Sequence, residues 1–350
     1  MKKRLETQRL VRSNVLNMRA YSSARNEFKS AGDDFIFMDA NENPFENGLN
    51  RYPDPNQSQL KKTLASLKGV SPSQILLGNG SDEVLDLLFR AYCEPKLDAV
   101  ITLPPTYGMY KVLANLNAVK ILQAPLNENF EIDIASVLKA VTEHTKIIFL
   151  CSPNNPTGNV IEANKIKFLL SNFNGLVVID EAYIDFCETE SWITYLNDFS
   201  NLVVTQTFSK AFGMAGIRLG VCYAGTAIIS VLHKIKPPYN VNALTQQAAL
   251  NLLDKMPKVE KEIDKIKRNR GMLSDNLERL TFVKKVFPSQ ANFLLIEVDD
   301  AQKRYHQLIE KGIVIRNRTN EYGCKNMLRI TVGTEKENKE LIKTMRLLQN

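Results

Sequence analysis

Between about residue 71 and residue 245 the chain alternates short apolar runs with stretches of helical periodicity, and few folds accept that pattern. Two parallel strands need a crossover of a dozen or more residues, usually a helix, so the alternation predicts a parallel sheet covered on both faces. The runs AVIT (99–102), KIIFLC (146–151), GLVVID (175–180) and NLVVTQ (201–206) are short and β-rich, and apolar throughout as buried parallel strands are. Their shortness argues against the competing reading as buried helix segments. Beyond Gln247 the pattern changes. A long charged helix is expected around 258–280, with Val259, Ile263 and Ile266 at helical spacing. NFLLIEV (292–298), GIVIRNR (312–318) and MLRITVG (327–333) then read as strands around a helix that begins near Ala301. A chain of 350 residues exceeds what one core usually serves. The expectation is a large α/β domain over 45–250 and a smaller α+β domain made of 251–350 and an N-terminal arm, 1–44.

Charge and composition remove several function classes. The formal charge is +7, but basic residues alternate with acids, as in KVEKEIDKIKRNR (258–270). That reads as a solvated helix face, so no nucleic-acid partner is expected. A modest positive field suits small anionic substrates. The five cysteines (Cys93, Cys151, Cys187, Cys222, Cys324) are odd in number and scattered, which predicts free thiols in a reducing compartment. Three distant histidines (His144, His233, His306) support neither a metal site nor a Ser-His-Asp triad. The N-terminus is basic without a continuous apolar stretch, and no later segment approaches the length of a membrane span. A cytoplasmic protein without a membrane partner is expected.

In open α/β sheets, ligands bind beyond the carboxyl ends of the strands. There the four runs are followed by LPPTYGMY, SPNNPTG, EAY and TFSKAFGMAGIRLG, each rich in Gly, Pro, Asn, Tyr or charge, so one shared site is expected. In QILLGNGSDEVLDLLFRAY (74–92) a strand runs into Gly78-Asn79-Gly80-Ser81, and a helix follows with Asp82 and Glu83 in its first turn. Free amides at such a start, with the Ser81 hydroxyl, form a phosphate cradle. An ordinary serine cap explains the same residues equally well. The third glycine of a dinucleotide fingerprint is missing. Asp180 ends a buried strand, where a carboxylate is costly unless something positive meets it. A helix cap and the protonated ring nitrogen of a cofactor are the two readings. Lys210 stands among Ala, Gly and Phe just after another strand. An amine in a largely apolar pocket loses proton affinity and can form a Schiff base with an aldehyde. A lysine for an aldehyde, an acid for a pyridine nitrogen and a cradle for a phosphate are the parts that pyridoxal 5′-phosphate needs. Arg218 would add a phosphate cation, or else stand at the surface after a turn.

TFSKAFGMAGIRLG resembles the lysine motif of the fold-type I pyridoxal-phosphate enzymes. With NENPF, RYPD, PPTYGMY, SPNNPTG, IDEAY and LRITVG, it makes the chain similar to the histidinol-phosphate aminotransferase family from about Val15 to Gly333. The residues before Ser13 are not covered. The resemblance implies a fold-type I α/β architecture, with Lys210 bound to pyridoxal 5′-phosphate and Asp180 against the pyridine nitrogen. It implies that Asn155 and Tyr183 hydrogen-bond the ring hydroxyl and that Tyr107 stacks on the ring. Gly80, Ser81, Asp82, Ser209 and Arg218 would surround the phosphate. Tyr52 would reach it from a second subunit, so a homodimer with shared sites is implied. Tyr21, Glu42 and Asn43 resemble positions that close over the substrate.

Arg329 can be read without the family. The alternation in MLRITVG puts Leu328, Ile330 and Val332 on one face and Arg329 with Thr331 on the other, toward solvent or toward a cleft. Similar enzymes use this arginine for the anionic end of the substrate, with Arg316 as the implied helper. The implied reaction exchanges an amino group between L-histidinol phosphate and 2-oxoglutarate, giving imidazole acetol phosphate and L-glutamate, with Lys210 as general base and acid. The alternatives are a lyase like threonine-phosphate decarboxylase, an aromatic amino acid aminotransferase, and a binding module that keeps the fold without catalysis.

Overall fold

The computed structural model describes residues 6–22 and 35–349. Seven strands form the larger sheet: β1 (Ile75–Asn79), β2 (Ala99–Thr102), β3 (Lys120–Gln123), β4 (Thr145–Cys151), β5 (Leu176–Asp180), β6 (Leu202–Thr207) and β7 (Leu219–Ala224). Their spatial order is β1-β7-β6-β5-β4-β2-β3. The strands from β6 to β3 run parallel, whereas β7 is antiparallel to both of its neighbours. The four apolar runs are β2, β4, β5 and β6, each within one residue of its expected bounds.

Alternate residues of these strands feed two cores, one on each face. Ile148, Leu150, Val177, Ile179 and Val204 pack with helices Ser58–Lys68, Ala163–Asn172 and Ala243–Leu253. Ile147, Phe149, Val178 and Val203 pack with helices Gly80–Tyr92, Met109–Leu116 and Thr226–Ile235. Each such side chain, wholly removed from water, contributes about 2 kcal/mol. With both faces dry, strand-end polar groups are directed along the sheet edge, where the βα loops converge.

A second sheet follows, β8 (Val283–Val286), β9 (Phe293–Val298), β10 (Arg316–Asn317) and β11 (Met327–Thr331), in the order β10-β11-β9-β8. It is antiparallel throughout. Helices Met256–Leu277, Ala301–Glu310 and Glu335–Leu347 cover it through Leu273, Leu277, Leu308, Leu341 and Met345. The strand expected over 312–318 is a correction: only Arg316 and Asn317 pair with β11. Gly312 turns the chain out of the preceding helix at a φ of +77°, which uses up the first residues of the run. Tyr183, Phe186, Ala211, Ala291 and Phe293 form a small apolar cluster that ties the ends of β5 and β6 to β9. Among the described residues, no helix is long and apolar enough to cross a membrane.

Candidate active site

Asp180 is the last residue of β5 and is buried. Its Oδ2 accepts a 2.8 Å hydrogen bond from the Tyr110 hydroxyl, and its Oδ1 accepts one of 3.2 Å from the Ala182 amide. Burial raises the carboxyl to about 6, and these two neutral donors oppose the rise. The next residue, Glu181, accepts from Ser191, the Trp192 amide and Gln206 instead. Its pKa is pushed up to about 7 by burial.

Lys210 follows β6. The apolar pocket expected around it is a correction, because the side chain is exposed. Its apolar neighbours in sequence turn elsewhere: Phe208 and Phe212 stack on each other at 4.6 Å, and Ala211 is buried. The Lys210 Nζ instead stands 5.7 Å from the centre of the Tyr183 ring. Water touches one side of the lysine while protein crowds the other. That desolvation, with repulsion from Arg329, lowers the proton affinity of the amine, and Asp82 and Asp180 pull the other way.

The start of helix Gly80–Tyr92 lies beside this lysine's loop. Gly80 has a φ of +77° and donates its amide to the Arg218 carbonyl at 2.8 Å. A Cβ there would stand 2.6 Å from Arg218 Nη2. At Gly220 a Cβ would overlap the Ser81 amide nitrogen, so β7 and the helix start touch backbone to backbone. Ser81 lies inside the helix, and Asn79, at the cap position, makes no side-chain cap bond, so the serine-cap reading fails. First-turn amides and the helix dipole together favour an anion. Arg218 Nη1 donates to Ser209 Oγ at 3.3 Å, and Nη2 lies 3.5 Å from Asp82. Tyr107 donates its hydroxyl to Asp82 at 3.0 Å. Gly80, Ser81, Asp82, Tyr107, Ser209 and Arg218 are therefore brought together.

Arg329 enters from the second sheet. The alternation holds: Leu328, Ile330 and Val332 are buried and Thr331 is exposed. Arg329 is half-buried and donates Nη1 to Asn155 Oδ1. Its guanidinium lies 5.2 Å from the centre of the Phe293 ring. Nε is buried and has no hydrogen-bond partner among the described residues. Burial, then repulsion from Arg318, lowers the guanidinium to about 10. Arg316 pairs with Arg329 in register across β10 and β11 and is exposed.

Residues 33–345 match the family model for aminotransferase class I and II. The chain belongs to the class I and II aminotransferases. It is 60% identical to the histidinol-phosphate aminotransferase of Christiangramia forsetii, over 98% of both chains. The solved histidinol-phosphate aminotransferase of Clostridium acetobutylicum has a TM-score of 0.80 at 27% identity, covering 86% of this chain and 91% of that one. The L-threonine-O-3-phosphate decarboxylase of Porphyromonas gingivalis has a TM-score of 0.72 at 26% identity, covering 86% and 92%. The fold is that of the fold-type I aminotransferases, and the chain is a pyridoxal-phosphate-dependent aminotransferase.

The residues of this aminotransferase fit that cofactor. A buried carboxylate hydrogen-bonded only by neutral groups suits a protonated ring nitrogen. An amine of lowered proton affinity suits an aldehyde. Two glycines that admit no Cβ, with Ser209 and Arg218 beside uncapped amides, suit a phosphate dianion.

Tyr52, Glu42 and Asn43 make contacts within this chain, outside that cluster. Tyr52 is exposed and stacks on Tyr239 at 4.5 Å. Glu42 accepts from the Tyr52 amide at 2.7 Å and from Arg51 at 2.8 Å, and Asn43 accepts from the Phe45 amide. Tyr21 is exposed, and the RAYSSAR motif around it passes out of the described residues after Ser22. Sequence reasoning missed Tyr110 and Phe293. No local signal marks Tyr110, because Tyr107 lies before helix Met109–Leu116 and the spacing of the two says nothing of a shared helix face.

Proposed function

We propose that this aminotransferase exchanges an amino group between L-histidinol phosphate and 2-oxoglutarate, in two half-reactions of ping-pong order, giving imidazole acetol phosphate and L-glutamate. The observation that carries the reading is Arg329, a half-buried guanidinium with one nitrogen unpartnered among the described residues, close enough to Lys210 to depress its proton affinity. The name of the relative 60% identical over 98% of both chains supports the donor.

When bound, pyridoxal 5′-phosphate supplies an electron sink beside the substrate carbon that loses its proton. The free amides of Ser81 and Asp82, with Ser209 and Arg218, would hold its phosphate, and Gly80, its own amide bound to the Arg218 carbonyl, would leave room for it. Asp180 keeps the ring nitrogen protonated, Asn155 and Tyr183 hydrogen-bond the ring hydroxyl, and Tyr107 lies against the ring. Lys210 Nζ would take the proton from the substrate carbon as general base and, as general acid, give it up to the cofactor carbon rather than back to the substrate, and its lowered proton affinity suits the first of these roles. Arg329, helped by Arg316, binds the substrate phosphate in one half-reaction and a carboxylate of the keto acid in the other.

Residues 45–250 act as the cofactor-binding domain, and 251–350 with 1–44 close over it. Two copies share their sites, with Tyr52 reaching the partner's cofactor and Tyr21, Glu42 and Asn43 closing over substrate. Exposed Phe45, Leu49 and Tyr52 support such a contact. Five free cysteines support a cytoplasmic setting.

The test is the absorbance of the loaded protein on adding L-histidinol phosphate without a keto acid. Loss of the visible band with one equivalent of imidazole acetol phosphate is expected. An unchanged band rejects the donor, and carbon dioxide released from threonine phosphate would establish the lyase reading instead.

A further inference from the structure

Asp180 is hydrogen-bonded by one side chain among the described residues. The Tyr110 ring is wholly buried, stacked on Phe149 at 4.9 Å and 15° and edge-on to Tyr107 at 5.6 Å. Phe149 stacks in turn on Phe89 at 5.2 Å. This column aims the Tyr110 hydroxyl at Asp180 Oδ2, 2.8 Å away, with the buried Cys151 thiol beside the pair. Thr205, paired with Asp180 across β5 and β6, lies near enough to favour the charged carboxylate, but its buried hydroxyl meets no hydrogen-bond geometry.

We propose that Tyr110 is a positioning residue for the amino transfer: its hydroxyl fixes the Asp180 carboxylate in one rotamer and keeps it ionised, as an anion ready for the cofactor's ring nitrogen. The inference rests on the proposed pairing of Asp180 with that nitrogen. Burial is the largest influence on Asp180 and favours the neutral acid, which offers the ring no countercharge. The Tyr110 bond is the largest influence in the opposite direction. Tyr110 does not lose its own proton, because burial and the nearby Asp180 charge raise its pKa well above the ordinary phenol value. It donates throughout the working range. A tyrosine that merely filled the core would do none of this, since phenylalanine would stack on Phe149 equally well.

The experiment compares Tyr110→Phe, Asp180→Asn and the double variant, each checked for native near-ultraviolet dichroism. Two quantities are read: the midpoint of the Asp180 carboxyl by carbon-13 NMR of the cofactor-free protein, with the signal assigned from Asp180→Asn, and the affinity for pyridoxal 5′-phosphate by fluorescence titration. Tyr110→Phe is expected to raise the midpoint and to weaken binding about ten-fold at neutral pH. Asp180→Asn weakens binding further, and Tyr110→Phe adds nothing in that background. If Asp180→Asn leaves affinity unchanged, the pairing of Asp180 with the ring is wrong and the proposal goes with it. If Asp180→Asn weakens binding while Tyr110→Phe moves neither quantity, Tyr110 is a core filler and only the proposal is lost. An equal loss with and without Asp180 also overturns it. Should Tyr110→Phe fold poorly, 3-fluorotyrosine in its place removes no heavy atom and makes a stronger donor. The midpoint must then fall, and an unmoved midpoint sinks the idea.

Discussion

Asp180 and Arg329 carry opposite charges in one site, and burial works against both, raising the carboxyl to about 6 and lowering the guanidinium to about 10. They differ in company. Asp180 ends a strand dry on both faces, and both of its oxygens are held by donors on the same sheet's loops and helices. Arg329 rides a strand with one wet face, holds Asn155 with one nitrogen and keeps a buried Nε without a partner among the described residues. One charge is therefore fixed in advance, while the other retains donor capacity. Fixed charge suits a resident group, and spare donors suit ligands that change between half-reactions.

That contrast can be broken in stages. Lys210→Ala lies between the two ends and should remove the proton carrier without disturbing either. Turnover is expected to fall about 10⁴-fold or more with the cofactor still retained, read by single-turnover kinetics. Asp180→Asn keeps shape and removes charge. It should lower kcat about 10²- to 10³-fold with KM little changed, and a KM effect alone would place Asp180 at the wrong end.

The third test uses pH on the cofactor-free protein. Because the folded pKa of Asp180 is raised from 3.8 to about 6, the native state binds its proton more tightly than the unfolded chain. Stability from this group should fall as pH rises through that window, by on the order of 3 kcal/mol, and stay level above it. Urea unfolding of native protein and Asp180→Asn at both ends of the window measures the difference. Glu181, raised to about 7, adds a slope of the same sign that Asp180→Asn leaves in place. Arg329→Gln should not alter the slope. The smallest effect is expected from Arg329→Lys, which keeps charge and loses the planar fork. KM for L-histidinol phosphate should rise about ten- to a hundred-fold with kcat less affected.

What the sequence disclosed follows from how each part is stabilised. β2, β4, β5 and β6 were legible because a strand buried on both faces must be apolar throughout. β7 escaped because it follows β6 through a short connection with no crossover helix, the mark of an antiparallel neighbour. The cradle and Arg329 were legible as residue types in loops and on an alternating strand. Their partners were not: Asn155 lies 174 residues from Arg329, and Tyr110 lies 70 from Asp180. A tyrosine within an amphipathic helix reads as core, and nothing local betrays where its hydroxyl points. The setting of Lys210 was misread because Phe208 and Phe212 pair with each other instead of surrounding it.

β7 also bears on timing. In the larger sheet β1 has one neighbour, β7, so the helix start from Gly80 to Asp82 is held beside Ser209 and Arg218 by the strand of that sheet that comes last along the chain. A growing chain displays β1 early, yet the Gly220 contact that completes the cradle waits until residues 219–224 are available. A nascent or truncated chain lacking them has no assembled anion cradle to capture cellular phosphates, so competence to bind the cofactor doubles as a report that the large sheet is finished.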